Sequence, residues 1–569
     1  AAYPDWWTDG FGSAARETAA SRKTHSDMTA VEGLLSMAVL KDKCLPQATH
    51  QQIEHIHESL LFYDEHTFGA SESVSDPLCE NSQVQWGEKS AYAWEAVKRT
   101  QMLYETSVGL LQGDLRRGKN PTLTIFNTLN WKRSEMLTVY IDFEVIPRNQ
   151  FFEITDFQGH SLKVQPIRYR REGCYYAIFA EDIPPMGYKT FEIVFKQPST
   201  DTGTITINNA SIENHFYKLQ LNPDKGTIQS LYDKELNCEL VDSSSPWELG
   251  AFIYEKLGNR DQLAQYRLDD YNRTGLSECR IIDSSNGPIY QRILLQGKSP
   301  GTDEAFGVNL EIKLYHDTKR IELEYAIKRL PETDPSGIYV AFPFQLPEGK
   351  LAFDVQGGTV ISGKNQLEGT STDWNTVQNF VSVQNNQAQI IIGSSLIPLY
   401  QLGDINLGKF QYQKQYERPH VYSWVMNNYW NTNFKASQEG EFRWSYHLTS
   451  SVDPSNNLAT KFGWSSRIPL YARVMPTGTE NHKPTEYSAF HFEKDNFLMT
   501  SCTPSKEEGY ILLNIREIDG KRTNLRILNE DGQTIPFTIV NAIEEKLENE
   551  TSEHIFEGYQ NKFIKIKRF

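Results

Sequence analysis

The sequence predicts an α+β, multi-domain and mostly β protein, in which a three-helix bundle is followed by β-sandwich domains that include a large supersandwich. Three observations predict this class. Hydrophobic residues make up 39% of 569 residues, enough for several cores rather than one. Aromatic residues make up 12%, which is typical of sheet proteins. The hydrophobic period is helical as far as Leu111 and alternates after Pro121.

Three long helices are predicted at the start of the chain. The first begins after Ser13, a candidate N-cap. The second begins at Pro46 and ends near Tyr63, and the third runs from about Trp86 to Leu111. Apolar residues recur in the first helix at spacings of three and four, at Val31, Leu34, Leu35, Ala38 and Val39. Three long antiparallel helices indicate a bundle.

Strands are predicted for the rest of the chain. Residues 123–127 and 137–141 alternate apolar and polar side chains, and residues 187–195 close a small sheet unit. Residues 198–203 are polar and rich in turn formers, so we expect a linker and a domain boundary there. Strands recur from Ile212 onward with little helix, which at this length indicates a large two-sheet sandwich.

Composition excludes two classes of partner. The 57 Lys and Arg residues stand against 73 Asp and Glu residues, a formal net charge of -16, so a nucleic-acid partner is not expected. A membrane-spanning helix needs about 20 consecutive apolar residues, and no such run occurs, so we expect a soluble protein with no membrane partner. The six cysteines form neither a CxxC pair nor a dense framework and are interpreted as ordinary buried thiols.

Residues 7–13, Trp-Thr-Asp-Gly-Phe-Gly-Ser, stand directly before the first long helix. This segment resembles the one that leads from the catalytic domain into the helical bundle in glycoside hydrolase family 38, the retaining α-mannosidase family. The resemblance implies that Trp7 stacks on a bound sugar, and an indole face does pack well on the apolar face of a hexose. The alternative is that Trp6 and Trp7 anchor a loop on the bundle.

Residues 63–69, Tyr-Asp-Glu-His-Thr-Phe-Gly, follow the second helix. They resemble the loop that in the family supplies a zinc-ligating histidine and a carboxylate that hydrogen-bonds the sugar. Alignment without a gap places Asp64 at the ligand position. We prefer His66 for its ligand chemistry and take Asp64 or Glu65 as substrate contacts. Without the resemblance, this pattern is also typical of a solvated turn.

Two stretches of the sheet region also resemble the family. Residues 212–234 predict a hairpin at the start of its large β domain, and residues 424–434 form a turn rich in Asn and aromatic residues. We expect the second turn to reach the active-site cleft, where Asn427, Asn428 and Trp430 would contact the substrate. The alternative is an Asn-rich turn with its aromatic residues in the sandwich core.

The resemblance implies how the chain divides into domains and where the catalytic residues of the family lie relative to it. In family order the nucleophile, the acid and the remaining zinc ligands precede Ala1, so this chain alone is expected to have no catalytic residue and to be inactive. His25 and Asp27 form a His-x-Asp by letters only and are interpreted as surface residues of the first helix. The expected units are a tail of the catalytic domain at 1–12, the bundle at 13–117, a small β domain at 118–198, the large sandwich at 199–470 and a terminal sandwich at 471–569.

We therefore expect this chain to be part of a zinc-dependent retaining α-mannosidase. The complete protein would bind zinc, and this chain alone would bind it weakly or not at all. The expected partner is an α-mannoside or another carbohydrate. The sequence leaves open whether the protein forms a homo-oligomer and whether it is cytoplasmic or exported. A second hypothesis is a carbohydrate-binding β-sandwich protein without chemistry. A third is a lyase or sandwich-type glycosidase with its acids in the large sheet domain, for example near Asp373 and Trp374.

Overall fold

A computed structural model describes residues 5–197, 210–412 and 416–569. The predicted linker at 198–203 lies outside these residues. The chain is mostly β, with its helices concentrated at the start and several sheets after them, so the predicted fold class is confirmed. In the described residues no helix is both long and apolar enough to span a membrane.

The bundle consists of α1 (Ala15–Leu40), α2 (Thr49–Asp64) and α3 (Glu80–Leu111). A 3-10 helix, Thr8–Ala14, precedes α1, so Ser13 lies inside it and does not cap α1. The bundle core is apolar and draws on all three helices: Met28, Val31, Leu35, Ile56, Leu60, Ala96 and Leu103. The predicted helices are therefore present, but α2 begins at Thr49 instead of Pro46 and α3 at Glu80 instead of about Trp86.

The small β unit contains six strands that follow the bundle. They are β1 (Thr122–Asn127), β2 (Arg133–Asp142), β3 (Phe151–Thr155), β4 (Lys163–Tyr169), β5 (Gly173–Ile183) and β6 (Gly187–Lys196). β2, β5 and β4 form one antiparallel sheet, and β1 and β6 are neighbours in a second. Apolar side chains of the two sheets meet in one core, which includes Leu123, Ile141, Ile178 and Phe191.

The large β unit spans residues 211–451 and adds the short helix α4 (Asp261–Ala264). Its strands are β7 (Ser211–Glu213), β8 (Tyr217–Asn222), β9 (Thr227–Asp233), β10 (Cys238–Glu239), β11 (Ala251–Leu257), β12 (Tyr271–Thr274), β13 (Ser277–Asn286), β14 (Tyr290–Lys298), β15 (Val308–Tyr315), β16 (Ile321–Arg329), β17 (Ser336–Phe342), β18 (Lys350–Val355), β19 (Gly358–Ile361), β20 (Asn375–Thr376), β21 (Val381–Gln384), β22 (Gln389–Gly393), β23 (Leu399–Leu402), β24 (Val421–Asn427) and β25 (Gly440–Ser451).

These strands form a sandwich around one core. A nine-stranded sheet runs from β13 to β19 in the order β13-β14-β15-β16-β25-β22-β21-β18-β19, and a six-stranded sheet has the order β12-β11-β17-β24-β23-β20. Their inner faces share a single apolar cluster with the sheet of β7 to β10. The predicted hairpin is present, because β8 pairs antiparallel with β9 around a turn in which Gly226 has φ +66°.

The last part of the chain begins with α5 (Asn456–Arg467). Its strands are β26 (Tyr471–Met475), β27 (Glu486–Ser488), β28 (His491–Phe492), β29 (Phe497–Pro504), β30 (Tyr510–Glu517), β31 (Thr523–Leu525), β32 (Ile527–Leu528), β33 (Thr538–Val540), β34 (His554–Phe556) and β35 (Asn561–Lys567). β26 pairs with β1 and β27 with β6, so residues 471–488 complete the sheet of the small β unit. The expected division places them instead in the terminal sandwich.

The remaining terminal strands pack on α1. Leu34 and Met37 of α1 belong to the same apolar cluster as Phe497, Ile515 and other residues of this unit. All six cysteines are free, but only Cys174 and Cys502 are buried, whereas the sequence analysis expected buried thiols throughout.

Candidate functional site

Three segments that are distant in sequence meet at Trp7. They are the start of the 3-10 helix, the loop after α2 and the turn after β24. The Trp7 ring lies 5.5 Å from the His66 ring and 5.4 Å from the Trp430 ring, in an edge-to-face contact with the latter. Trp7 is 48% exposed. The structure thus brings together three of the residues predicted for the site, with an aromatic surface open to solvent.

The two neighbouring tryptophans have different roles. Trp6 packs edge-on against Trp374 at 5.4 Å and also contacts Phe410 and Tyr412. Trp374 is 4% exposed and Asp373 is fully buried. The pair considered for a lyase or sandwich-type glycosidase therefore lies in the core beneath Trp6. Trp6 is therefore the anchor of this loop, and Trp7 is left to face solvent.

A buried carboxyl group fixes the second aromatic wall. The indole N–H of Trp430 donates to Asp9 Oδ1 at 3.0 Å. Asp9 is 6% exposed, and burial raises its pKa to about 7 although the Trp430 and backbone hydrogen bonds act in the opposite direction. The sequence analysis missed Asp9, because its burial depends on a partner 421 residues away.

The amide groups of Asn427 and Asn428 are engaged by protein atoms. Asn427 Nδ2 donates to the Asp9 carbonyl at 2.9 Å. Asn428 Nδ2 donates to the Ala436 carbonyl at 2.7 Å, and its Oδ1 accepts from the Ser336 N–H at 2.7 Å. Both residues are almost fully buried. This differs from the expected presentation of two amides to a sugar: here they fix the turn that carries Trp430, and a direct substrate contact stays a prediction.

The loop after α2 is held by Glu65. Its Oε1 lies 2.7 Å from His66 Nδ1, and its Oε2 accepts from the Thr67 N–H at 3.0 Å and from Lys89 Nζ at 3.2 Å. Partial burial alone would raise the pKa of Glu65, but the hydrogen bonds from Thr67 and Lys89 outweigh it and the pKa lies below its ordinary value. Glu65 therefore orients the His66 ring and leaves Nε2 for an external partner.

Asp64 ends α2 and contacts α1. It accepts from Ser21 Oγ at 2.9 Å and lies 2.8 Å from His25 Nε2. His25 was interpreted as a surface residue, but it is only partly exposed and contacts Asp64. Asp27 is likewise partly exposed and accepts from the Tyr471 hydroxyl at 2.8 Å. Both residues lie where α1 packs on other elements, and the His-x-Asp sequence motif alone does not show this packing.

The loop after α2 is joined to the turn after β24 by backbone and side-chain bonds. The Phe68 N–H donates to the Asn433 carbonyl at 2.9 Å, and Ser73 Oγ donates to the Phe434 carbonyl at 2.9 Å. The Phe68 ring is fully buried and contacts Tyr63, Phe11 and Phe434. His66 and Trp430 are therefore carried by one packed unit.

The described residues do not form a zinc centre by themselves. Within ranges 5–197, 210–412 and 416–569, no three His, Cys, Asp or Glu side chains converge in a way that could hold a metal ion. A zinc site usually has three or four such ligands. His66 offers one imidazole nitrogen, and its neighbour Glu65 already binds Lys89 and the loop backbone.

Comparisons with known proteins match most of the chain. Residues 5–111 match the sequence model of the alpha mannosidase middle domain, and residues 212–410 match that of the glycosyl hydrolases family 38 C-terminal domain. No curated protein gives a significant sequence match.

Two solved structures from Enterococcus faecalis share the fold. An alpha-mannosidase from strain V583 aligns with a TM-score of 0.75 at 14% identity, covering 99% of this chain and 69% of its own. A protein described as belonging to glycosyl hydrolase family 38 aligns with a TM-score of 0.73 at 14% identity, covering 98% of this chain and 71% of its own. At this identity the likeness establishes the fold.

Proposed function

Because the chain belongs to glycosyl hydrolase family 38 through its middle and C-terminal domains, we propose that it forms the sugar-binding wall of a zinc-dependent, retaining α-mannosidase. The observation that carries this proposal is the meeting of Trp7, His66 and Trp430. Three separate elements place an exposed indole face, an oriented imidazole and a second aromatic ring side by side.

The aromatic pair is suited to a pyranose ring. The apolar C–H face of a hexose packs on an indole, and the edge of Trp430 closes one side of the Trp7 face. A sugar stacked on Trp7 borders the His66 ring. Asp64 ends α2 and Glu65 begins the loop after it. Their carboxylates are held by Ser21, His25 and Lys89, so this segment offers a fixed polar edge to the sugar.

We propose that hydrolysis needs catalytic carboxyl groups other than those in the described residues. Retaining hydrolysis uses two carboxyl groups about 5–5.5 Å apart, one as nucleophile and one as acid. Near Trp7, Asp9 holds the Trp430 indole and Glu65 holds His66, so we assign both to positioning. The nucleophile and the acid are then supplied by other residues of the complete enzyme, and the 569-residue chain alone is inactive.

Zinc is proposed to bind at His66 Nε2, with Asp64 as the alternative ligand. When bound, a zinc ion would supply positive charge for the substrate hydroxyl groups. The remaining ligands come from residues other than those described, so this chain alone binds zinc weakly or not at all.

The first experiment measures sugar binding by the chain itself. Saturation-transfer NMR detects millimolar ligands, and methyl α-mannoside is the probe. We expect signal transfer from the wild-type protein and its loss in Trp7→Ala, since stacking supplies most of the contact. The matched control is Trp94→Ala, because Trp94 is also about half exposed but lies on α3. Equal transfer in wild type and Trp7→Ala would overturn the assignment of Trp7.

The second experiment separates an enzyme from a binding protein without chemistry. The complete natural polypeptide that contains these residues is assayed for hydrolysis of an aryl α-mannoside, with and without a chelator. We expect hydrolysis that the chelator abolishes, and no hydrolysis by the 569-residue chain alone. Sugar binding without hydrolysis by the complete polypeptide would favour the carbohydrate-binding protein instead.

A further inference from the structure

Two arginine side chains meet where α1, α5 and the loop between β20 and β21 come together. Arg22 Nη2 donates to the Gln378 carbonyl at 2.9 Å, and Arg467 Nη1 lies 3.5 Å from the same oxygen. Arg467 also donates to the side chains of Ser26 and Asn379, at 2.7 and 3.3 Å. The two guanidinium groups therefore share one acceptor and lie side by side.

Neither guanidinium has an ion-pair partner. Among the described residues no carboxylate lies within 4.0 Å of Arg22 or Arg467, so the acceptors of their hydrogen bonds are uncharged. Arg22 Nε is buried, and among the described residues its N–H donates to no hydrogen-bond acceptor. Burial, together with the adjacent charge of Arg467, lowers the pKa of Arg22 to about 9.

A third guanidinium increases the positive charge of this junction. Arg516 is 6% exposed and has Asp354 as its ion-pair partner, at the long distance of 3.9 Å. Asp354 is itself buried, and burial raises its pKa to about 6 despite the nearby Arg516. Asp354 thus acts on two guanidinium groups, those of Arg516 and Arg467, while Asp64 acts on Arg22 and Arg467 from beyond ion-pair distance.

We infer that Arg22 and Arg467 bind a small inorganic anion of the chloride class. Buried charges in proteins are paired, and a buried donor without a partner indicates an ion or water. The oxygens of Gln378 and Asn379 already engage Arg467 Nη1, the Gln378 carbonyl also engages Arg22 Nη2, and these oxygens would repel a large polyanion. A single-atom anion needs only the few donors that are left. Both arginine side chains are partly exposed, so the ion can exchange with solvent.

The bound anion would join three parts of the molecule. Arg22 belongs to α1 of the bundle, Arg467 ends α5, and Gln378 belongs to the large β unit. By neutralising repulsion between the two cations, the anion stabilises this junction only in the folded state. Stability should therefore depend on chloride concentration by mass action.

The test is thermal unfolding of the full chain in chloride at fixed ionic strength, with gluconate as the replacing anion. We expect the wild-type Tm to rise by a few degrees with chloride and to saturate. Arg467→Gln should lose this response. The matched control, Arg171→Gln, should keep it, because Arg171 is 93% exposed and lies far from the junction in the small β unit. A wild-type Tm that is the same in chloride and gluconate would overturn the inference, as would an equal response in Arg467→Gln.

A second measurement does not depend on any variant folding. Crystals of the wild-type chain are soaked in bromide, and anomalous diffraction locates the bound ions. A peak between Arg22 and Arg467 is expected. Bromide sites elsewhere with none at this junction would also overturn the inference.

Discussion

The residues of the site differ in how well the sequence predicts them. Trp7, His66 and Trp430 are visible because their residue types carry recognisable chemistry in family-like segments, and the structure places them in contact. Asp9 is not visible in this way. Its character comes from burial beneath Trp430, a tertiary effect that no local pattern contains. The engagement of Asn427 and Asn428 by backbone groups is hidden for the same reason.

Asp9 predicts a dependence of stability on pH. Its pKa is about 7 in the folded protein against an ordinary value of 3.8, so its contribution is fully present below about pH 4 and is lost as pH rises through 7. Asp9→Asn removes this titration, and we expect its stability relative to wild type to improve between pH 5 and pH 8, on the order of a few kcal/mol.

The measurement is the urea midpoint of wild type and Asp9→Asn at both pH values, followed by tryptophan fluorescence. The control is Asp182→Asn, since the Asp182 carboxyl group is exposed and its ion-pair partner among the described residues is the surface residue Lys132. If the difference between wild type and Asp9→Asn is the same at pH 5 and pH 8, the carboxyl group of Asp9 does not titrate in this range.

At the scale of elements, helical and alternating periods predict most of the architecture. The C-terminal ends of α2 and α3 and the β8–β9 hairpin follow the sequence pattern closely, whereas α2 begins at Thr49 and α3 at Glu80. Ser13 does not cap α1, because the chain first forms a 3-10 helix that packs tightly on the end of β24 and the turn after it. The return of β26 and β27 to the small β unit is also hidden, since pairing between distant strands leaves no local signal.

The tight packing of the 3-10 helix predicts a strong effect at Gly12. A Cβ at this position would lie 2.3 Å from Asn427 Nδ2 and 3.3 Å from the Asn427 backbone nitrogen, so Gly12→Ala must displace the buried Asn427 amide, which donates to the Asp9 carbonyl. We expect a loss of about 1–3 kcal/mol, as in other overpacked cores. The control is Gly109→Ala on α3, where a Cβ meets nothing within 4 Å and alanine should stabilise the helix by about 0.5–1 kcal/mol.

Thermal unfolding of both glycine variants gives the comparison. A lower Tm for Gly12→Ala and an equal or higher Tm for Gly109→Ala are expected. If Gly12→Ala unfolds at the wild-type temperature, the contact between the 3-10 helix and Asn427 is looser than described.

At the scale of the whole molecule, the α2 loop and the β24 turn form one packed unit with Trp7 at its surface. The family resemblance predicted the general position of this unit, and the sandwich and the bundle bring its parts together.

The zinc proposal adds a further expectation. After incubation with zinc and dialysis, elemental analysis of this chain should find clearly less than one zinc per molecule, because the described residues lack a ligand cluster. Stoichiometric zinc that His66→Ala removes would mean that the ligands are present in this chain.

The central claim is that Trp7, His66 and Trp430 bind a sugar together. The most direct test is a crystal structure of this chain soaked with methyl α-mannoside. Our account predicts density for a pyranose ring stacked on Trp7 and bordered by His66. A sugar bound elsewhere on the molecule while Trp7 remains bare would contradict it.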